Sequence, residues 1–94
     1  MIVVRNCFVA KPGQASKLAA HFKEMAAFMN APGHRVLTDM TGDFNRVIFE
    51  YEAESAGDFE ARMQEYATNE AFREKMKGYT DLYVTGYREL LRIH

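Results

Sequence analysis

The chain has 94 residues, 48% of them apolar, with seven Phe, five Tyr and six Met. That composition excludes a disordered chain and predicts a single domain over residues 1–94, burying about two-thirds of its unfolded surface around a thin core. Twelve basic and 13 acidic residues, net charge −1, are mixed along the chain, which excludes the basic surface that binding a phosphate backbone requires.

The opening, MIVVRNCFVAKPG, predicts a first strand over residues 2–10. Ile2, Val4, Asn6, Phe8 and Ala10 fall on one face, Val3, Arg5, Cys7 and Val9 on the other. Apolar residues on both faces mark a central strand covered on both sides. The same run is too short for a signal peptide, and no apolar segment is long enough to span a bilayer. Cys7 is the only cysteine, so no internal disulfide forms; a cytoplasmic protein without a membrane partner is expected. Nothing near Cys7 in sequence lowers its pKa, so an inert thiol is expected.

A helix is expected from about Gln14 to Met29, where Ala15, Leu18, Ala19, Phe22, Met25, Ala26 and Met29 form one apolar stripe. Asn30-Ala31-Pro32-Gly33 ends it, because proline cannot continue the hydrogen-bond ladder. From His34 to Glu54 two strands meet at the turn Thr41-Gly42-Asp43-Phe44-Asn45. In the second, Val47, Phe49 and Tyr51 alternate with Arg46, Ile48, Glu50 and Glu52, the period of a sheet with one face on helices. Ser55 and Asp58 resemble a capping box and open a second helix with Phe59, Met63 and Tyr66 on one face. Thr68-Asn69 interrupts it, and either residue suits the cap of a short helical piece holding Phe72, Met76 and Tyr79. The last strand, about Tyr83 to Ile93, has Tyr83, Thr85, Tyr87, Glu89, Leu91 and Ile93 on one side. Gly86 invites a bulge.

The order βαββαβ with right-handed crossovers predicts an α+β, ferredoxin-like domain. Its four-stranded antiparallel sheet runs 4-1-3-2, with the helices on one face. The other face then carries Val3, Cys7, Val9 and Ile48 among charged residues. Such a patch is best covered by a second copy of the chain, so a homodimer is expected, with Ile48 in its seam. Arg5, Arg46 and Arg88 are candidates to pair there with Glu50 and Glu52. An RNA-binding module shares the element order, but it needs exposed aromatic residues where this chain has Arg5, Cys7, Ile48 and Glu50. No nucleic-acid partner is expected.

The opening strand, the hairpin VLTDMTGDFNRVIFEYE and the stretch YATNEAF resemble the dimeric α/β-barrel superfamily, including NIPSNAP-like proteins and antibiotic-biosynthesis-type monooxygenases. The resemblance spans nearly the whole chain. It implies a homodimer closing two sheets into a barrel, with a cavity between sheet and helices in each subunit. Activities found there include cofactor-independent oxygenation, haem degradation and isomerisation of small rings. The haem-degrading members carry an asparagine at the position of Asn6 and a tryptophan where Tyr66 stands. Their axial histidine has no counterpart in Glu74–Tyr79, EKMKGY, so no cofactor is expected.

Asn6 interrupts an apolar face, and a buried amide without partners costs about 1–3 kcal/mol. It either lines a ligand cavity or bonds to backbone. Tyr66 is expected in the same space, and the two are the candidate catalytic residues. Phe22, Phe59, Phe72, Tyr83 and Tyr87 are the candidate ligand-binding aromatics, or else an ordinary core. His21 and Glu24 are spaced to share a metal ion, but the further ligands such sites need are missing, and a solvent-exposed pair is expected. His34 suits a cavity mouth. Thr38, Asp39 and Thr41 suit either a polar substrate or side-chain bonding within the turn. The functional expectation is a homodimer that binds a small hydrophobic or aromatic ligand, as a cofactor-independent monooxygenase-like or isomerase-like enzyme or as a non-catalytic dimer.

Overall fold

A computed structural model describes every residue from Met1 to His94. The order is β1 (Ile2–Ala10), α1 (Ala15–Met29), β2 (Arg35–Thr38), β3 (Arg46–Ala53), α2 (Ala56–Thr68), α3 (Glu70–Met76), a 3-10 turn (Tyr79–Asp81) and β4 (Tyr83–Arg92). The four strands form one antiparallel sheet in the order β2-β3-β1-β4, the expected ferredoxin-like topology.

The local signals explain the boundaries. The α1 ladder ends at Asn30, which enters the left-handed region at φ +49° and donates its N–H to the Ala27 carbonyl. Ser55 caps α2, its Oγ accepting from the Asp58 N–H at 3.1 Å. Asn69, rather than Thr68, caps α3, with Oδ1 accepting from the Phe72 N–H at 3.0 Å. Thr68 instead donates back to the Glu65 carbonyl at 3.1 Å. In the hairpin loop Asp39 Oδ1 accepts the Arg46 N–H at 3.0 Å, which gives Asp39 its turn-bonding role.

The core is one-sided. Leu18, Phe22, Met25, Ala26 and Met29 of α1 pack on Val4, Val47, Phe49, Tyr51 and Ala53 of the sheet. Leu18, Phe22, Val4 and Val47 are the largest fully buried side chains, each contributing about 1.5–3 kcal/mol through removal from water. By contrast α2 and α3 bury no residue completely; Phe59, Met63, Tyr66, Phe72 and Met76 are half-buried. The second crossover therefore stands off the sheet, and space remains beneath it.

The last strand departs from expectation. Ala10 pairs with Tyr83 and Val9 with Thr85, so Val84 is the extra residue of a bulge, two positions before Gly86. Gly86 itself lies opposite Phe8, whose ring covers it. A Cβ built there would sit 2.6 Å from Phe8 Cδ1 and 3.1 Å from the Cys7 carbonyl oxygen. The bulge inverts the alternation. Tyr83 faces the helices with Gly86, Arg88 and Leu90, while Thr85, Tyr87, Glu89 and Leu91 face away. Tyr83 and Tyr87 thus lie on opposite faces, and Arg88 belongs to the helix side rather than to the seam.

On the helix-free face Glu50 is buried at 4% exposure between two arginines. Its Oε2 accepts from Arg5 Nε at 2.7 Å and its Oε1 from Arg35 Nε at 2.5 Å. Burial works to raise the Glu50 pKa, but the bonds to Arg5 and Arg35 outweigh it and hold the carboxyl below its usual range. Cys7, beside it, is buried and free.

Gly86→Ala should destabilise the fold by about 1–3 kcal/mol, because Phe8 is wedged between Phe22 and Tyr83 at 4.9 and 4.8 Å and cannot yield. Chemical denaturation should find part of that loss recovered in Gly86→Ala/Phe8→Leu. Equal stability of Gly86→Ala and the native chain would contradict the contact.

Candidate functional site

Beneath the raised helices lies a cavity of about 250 Å³. Its floor is the helix side of β1, β3 and β4, its back wall α1, and its roof Met63, Tyr66, Ala67, Phe72 and Met76 of α2 and α3. Of its 14 lining residues 12 are hydrophobic or aromatic; the exceptions are Asn6 and Arg88.

Asn6 is 7% exposed. Its Nδ2 donates to the Phe49 carbonyl on the neighbouring strand at 3.2 Å, and its Oδ1 accepts from Arg88 Nε at 2.6 Å. One N–H and one lone pair of the amide remain free. Both sequence alternatives therefore coexist: the amide is tied to backbone and also borders a void. The Arg88 guanidinium lies 5.0 Å from the ring centre of Phe59, a cation–π contact that fixes it as the side chain crosses the cavity edge.

Three phenols complete the lining. Burial pushes Tyr51 up to about 12, while the positive charge of Arg88 pulls it the other way. Tyr66 stacks on Phe72 with ring centres 4.6 Å apart. Burial raises Tyr79 too, and it lies against Phe22 and Tyr83 at 6.2 and 5.6 Å. Between ordinary acid and ordinary alkali, burial favours the neutral phenols of Tyr51 and Tyr79, so they donate hydrogen bonds rather than act as bases.

Of the residues singled out from sequence, Asn6, Tyr66, Phe22 and Phe72 share the cavity. Phe59 lies beyond its edge, lining an adjoining groove of about 270 Å³ that meets the cavity at Met29, Tyr51 and Tyr66. Tyr83 packs behind the wall on Phe8 and Tyr79. Tyr87 is outside altogether, opposite Cys7 on the helix-free face and 63% exposed, because the Val84 bulge reversed its side. Tyr51 and Tyr79 were not singled out for the cavity, and Arg88 was assigned to the seam on the other face. The alternation of β3 already turned Tyr51 toward the helices; Gly86 invited a bulge in β4, but the extra residue falls at Val84, and that offset turns Arg88 inward.

The histidines lie elsewhere. His21 is half-buried rather than solvent-exposed: its ring stacks on Tyr79 at 6.1 Å, and Nε2 is buried without a partner. No group of three metal-binding side chains includes it. His34 does not line the cavity mouth, and its Nδ1 lies 2.7 Å from the Ala31 carbonyl oxygen, closing the turn after α1. No histidine is among the residues that line the cavity.

No family model matches the chain, and no curated protein does. Solved structures do. An uncharacterized NIPSNAP domain protein from Burkholderia xenovorans aligns over 100% of this chain and 95% of its own, with a TM-score of 0.85 at 12% identity. An antibiotic biosynthesis monooxygenase aligns over 100% and 99%, at 0.73 and 14%. SnoaB, a cofactor-independent oxygenase from Streptomyces nogalater, aligns over 99% and 92%, at 0.71 and 18%. The chain has the NIPSNAP and monooxygenase fold. At such identities the likeness extends to the fold alone, so the chemistry rests on the cavity. No helix of the chain is long and apolar enough to cross a membrane.

The raised Tyr51 pKa has a stability consequence. The folded chain keeps a proton that the unfolded chain, with an ordinary phenol at about 10, gives up, so stability falls as pH rises from about 10 towards 12. Urea titrations should find the native chain losing about 1 kcal/mol more than Tyr51→Phe by about pH 11. Parallel losses in the two proteins would place the Tyr51 hydroxyl in water.

Proposed function

We propose that this chain is a homodimeric small-molecule-binding protein that acts on a small aromatic substrate as a cofactor-independent, monooxygenase-like enzyme. The observation that carries the reading is the buried Asn6 amide, with one donor and one acceptor unspent, facing an aromatic cavity of about 250 Å³. In such chemistry the substrate supplies the electrons for oxygen, and the protein holds the ring, stabilises the oxygen atom that gains charge and excludes water. Asn6 would donate its free N–H to that oxygen, and Arg88 would hold the amide in place through Oδ1. Tyr66, stacked on Phe72, would orient the ring and pass a proton at its hydroxyl. The resemblance in fold to SnoaB is consistent with this chemistry.

A second reading, a non-catalytic ligand-binding dimer, draws on the same amide. Its two bonds, to Phe49 and Arg88, already give Asn6 a structural purpose. Oxygen uptake with a panel of phenols and naphthols separates the two. The enzyme reading expects saturable uptake, lowered at least about a hundredfold in Asn6→Ala, as for loss of an oxyanion donor, with the dimer intact. If no panel member is consumed, and Asn6→Leu melts higher without altering binding, the non-catalytic reading stands.

The dimer follows from the helix-free face, where Leu37, Tyr87 and Leu91 are 40%, 63% and 36% exposed around half-buried Val3, Val9 and Ile48. Two such faces meeting would close a barrel and remove this apolar surface from water. Sedimentation should find a dimer at micromolar concentration, and Ile48→Asp should dissociate it by placing a charge in a desolvated seam. A native monomer at that concentration would refute the assembly.

A further inference from the structure

We infer that the cavity selects a planar aromatic ligand carrying one oxyanion, and that Arg88 is its anchor. This rests on the cavity being a small-aromatic site and adds the charge of the ligand. Arg88 is the only charged residue in the lining, and no carboxylate lies within ion-pair distance of it. The adjoining groove carries Glu52, Glu54 and Asp58, of which Asp58 pairs with Arg62 at 3.6 Å and none pairs with Arg88. The cavity edge thus carries one positive charge that no carboxylate pairs, on a side chain open to solvent on one side and facing a mainly apolar lining on the other.

The guanidinium is also oriented. Nε is committed to Asn6 Oδ1 at 2.6 Å, and the plane is held at 5.0 Å over Phe59. Its terminal nitrogens make no hydrogen bond to the protein, leaving a fork of donors in the geometry that matches a carboxylate or an aryl oxyanion. Asn6 adds one free N–H beside the fork. Opposite them Phe22, Tyr66 and Phe72 provide ring faces, and about 250 Å³ accommodates one ring or two fused rings, at the small end for ligand sites. No imidazole or carboxylate lines the space, so no group in it is suited to remove a proton from a neutral phenol. A ligand that arrives already ionised needs no base.

Calorimetric titration of the full-length protein with naphthoate and its neutral isostere naphthamide tests the assignment. Naphthoate should bind roughly tenfold to a hundredfold more tightly, the value of hydrogen bonds to a charged group. Arg88→Met should erase the ratio, weakening naphthoate far more than naphthamide. Where Arg88→Met fails to fold, Arg88→Lys decides: the cation without its fork should weaken naphthoate severalfold and spare naphthamide. Nitrophenolate, compared with nitrobenzene, gives the phenolic arm; an Arg88-dependent preference in either arm supports the oxyanion, and the stronger arm names its source. Equal binding of the charged and neutral ligands, or a preference that survives in Arg88→Met, overturns the anchor but keeps the aromatic cavity. Absence of binding by all four compounds overturns both.

Discussion

The edge of the Phe8 ring closes on Gly86, and the geometry of the site descends from that contact. The ring needs a strand position with no side chain, and β4 provides one opposite it. Once Gly86 is seated there, Arg88 comes opposite Asn6, and its Nε reaches the amide oxygen. The extra residue at Val84 then lets Tyr83 return to the same face two pairs earlier, where it closes the aromatic wall against Phe8 and Tyr79. Packing, register and the polarity of the cavity are one constraint expressed three times.

The two faces of the sheet solve the same electrostatic problem in opposite ways. On the helix-free side Glu50 is buried but receives two arginines, so its charge is compensated within the chain. Its depressed pKa means that this compensation is complete above the ordinary carboxylate range and is lost as pH falls through the folded value. On the helix side a single arginine meets only a neutral amide and an aromatic face. One face is electrically closed, the other open. That asymmetry is what separates a structural ion pair from a candidate binding group.

Much of this was legible in the residues. Alternation placed Asn6, Phe49 and Tyr51 toward the helices, and Ser55, Asn30 and Asn69 marked the helix ends at which side chains or left-handed backbone satisfy free peptide groups. Strict alternation failed in β4, because a bulge adds one residue and inverts every position on one side of it. Gly86 was a true signal with a different meaning: it marks a ring edge closing on the backbone rather than the irregularity itself. His21 was misread for a related reason. Its neighbour is the 3-10 turn at Tyr79–Asp81, a tertiary contact with no periodic trace in sequence.

The break between α2 and α3 also has an energetic meaning. Neither helix buries a residue completely, and each is begun by a single side-chain cap, Ser55 or Asn69, at the protein surface. The sheet and α1 hold nearly all the closely packed contacts. The roof is therefore held less tightly than the sheet and α1, a region whose local opening is separable from global unfolding. Access to the cavity need not be a standing channel through the wall. It can be a brief local excursion of two short helices over a floor that stays folded, opposed by their caps and by the Phe28–Phe72 and Arg88–Phe59 contacts.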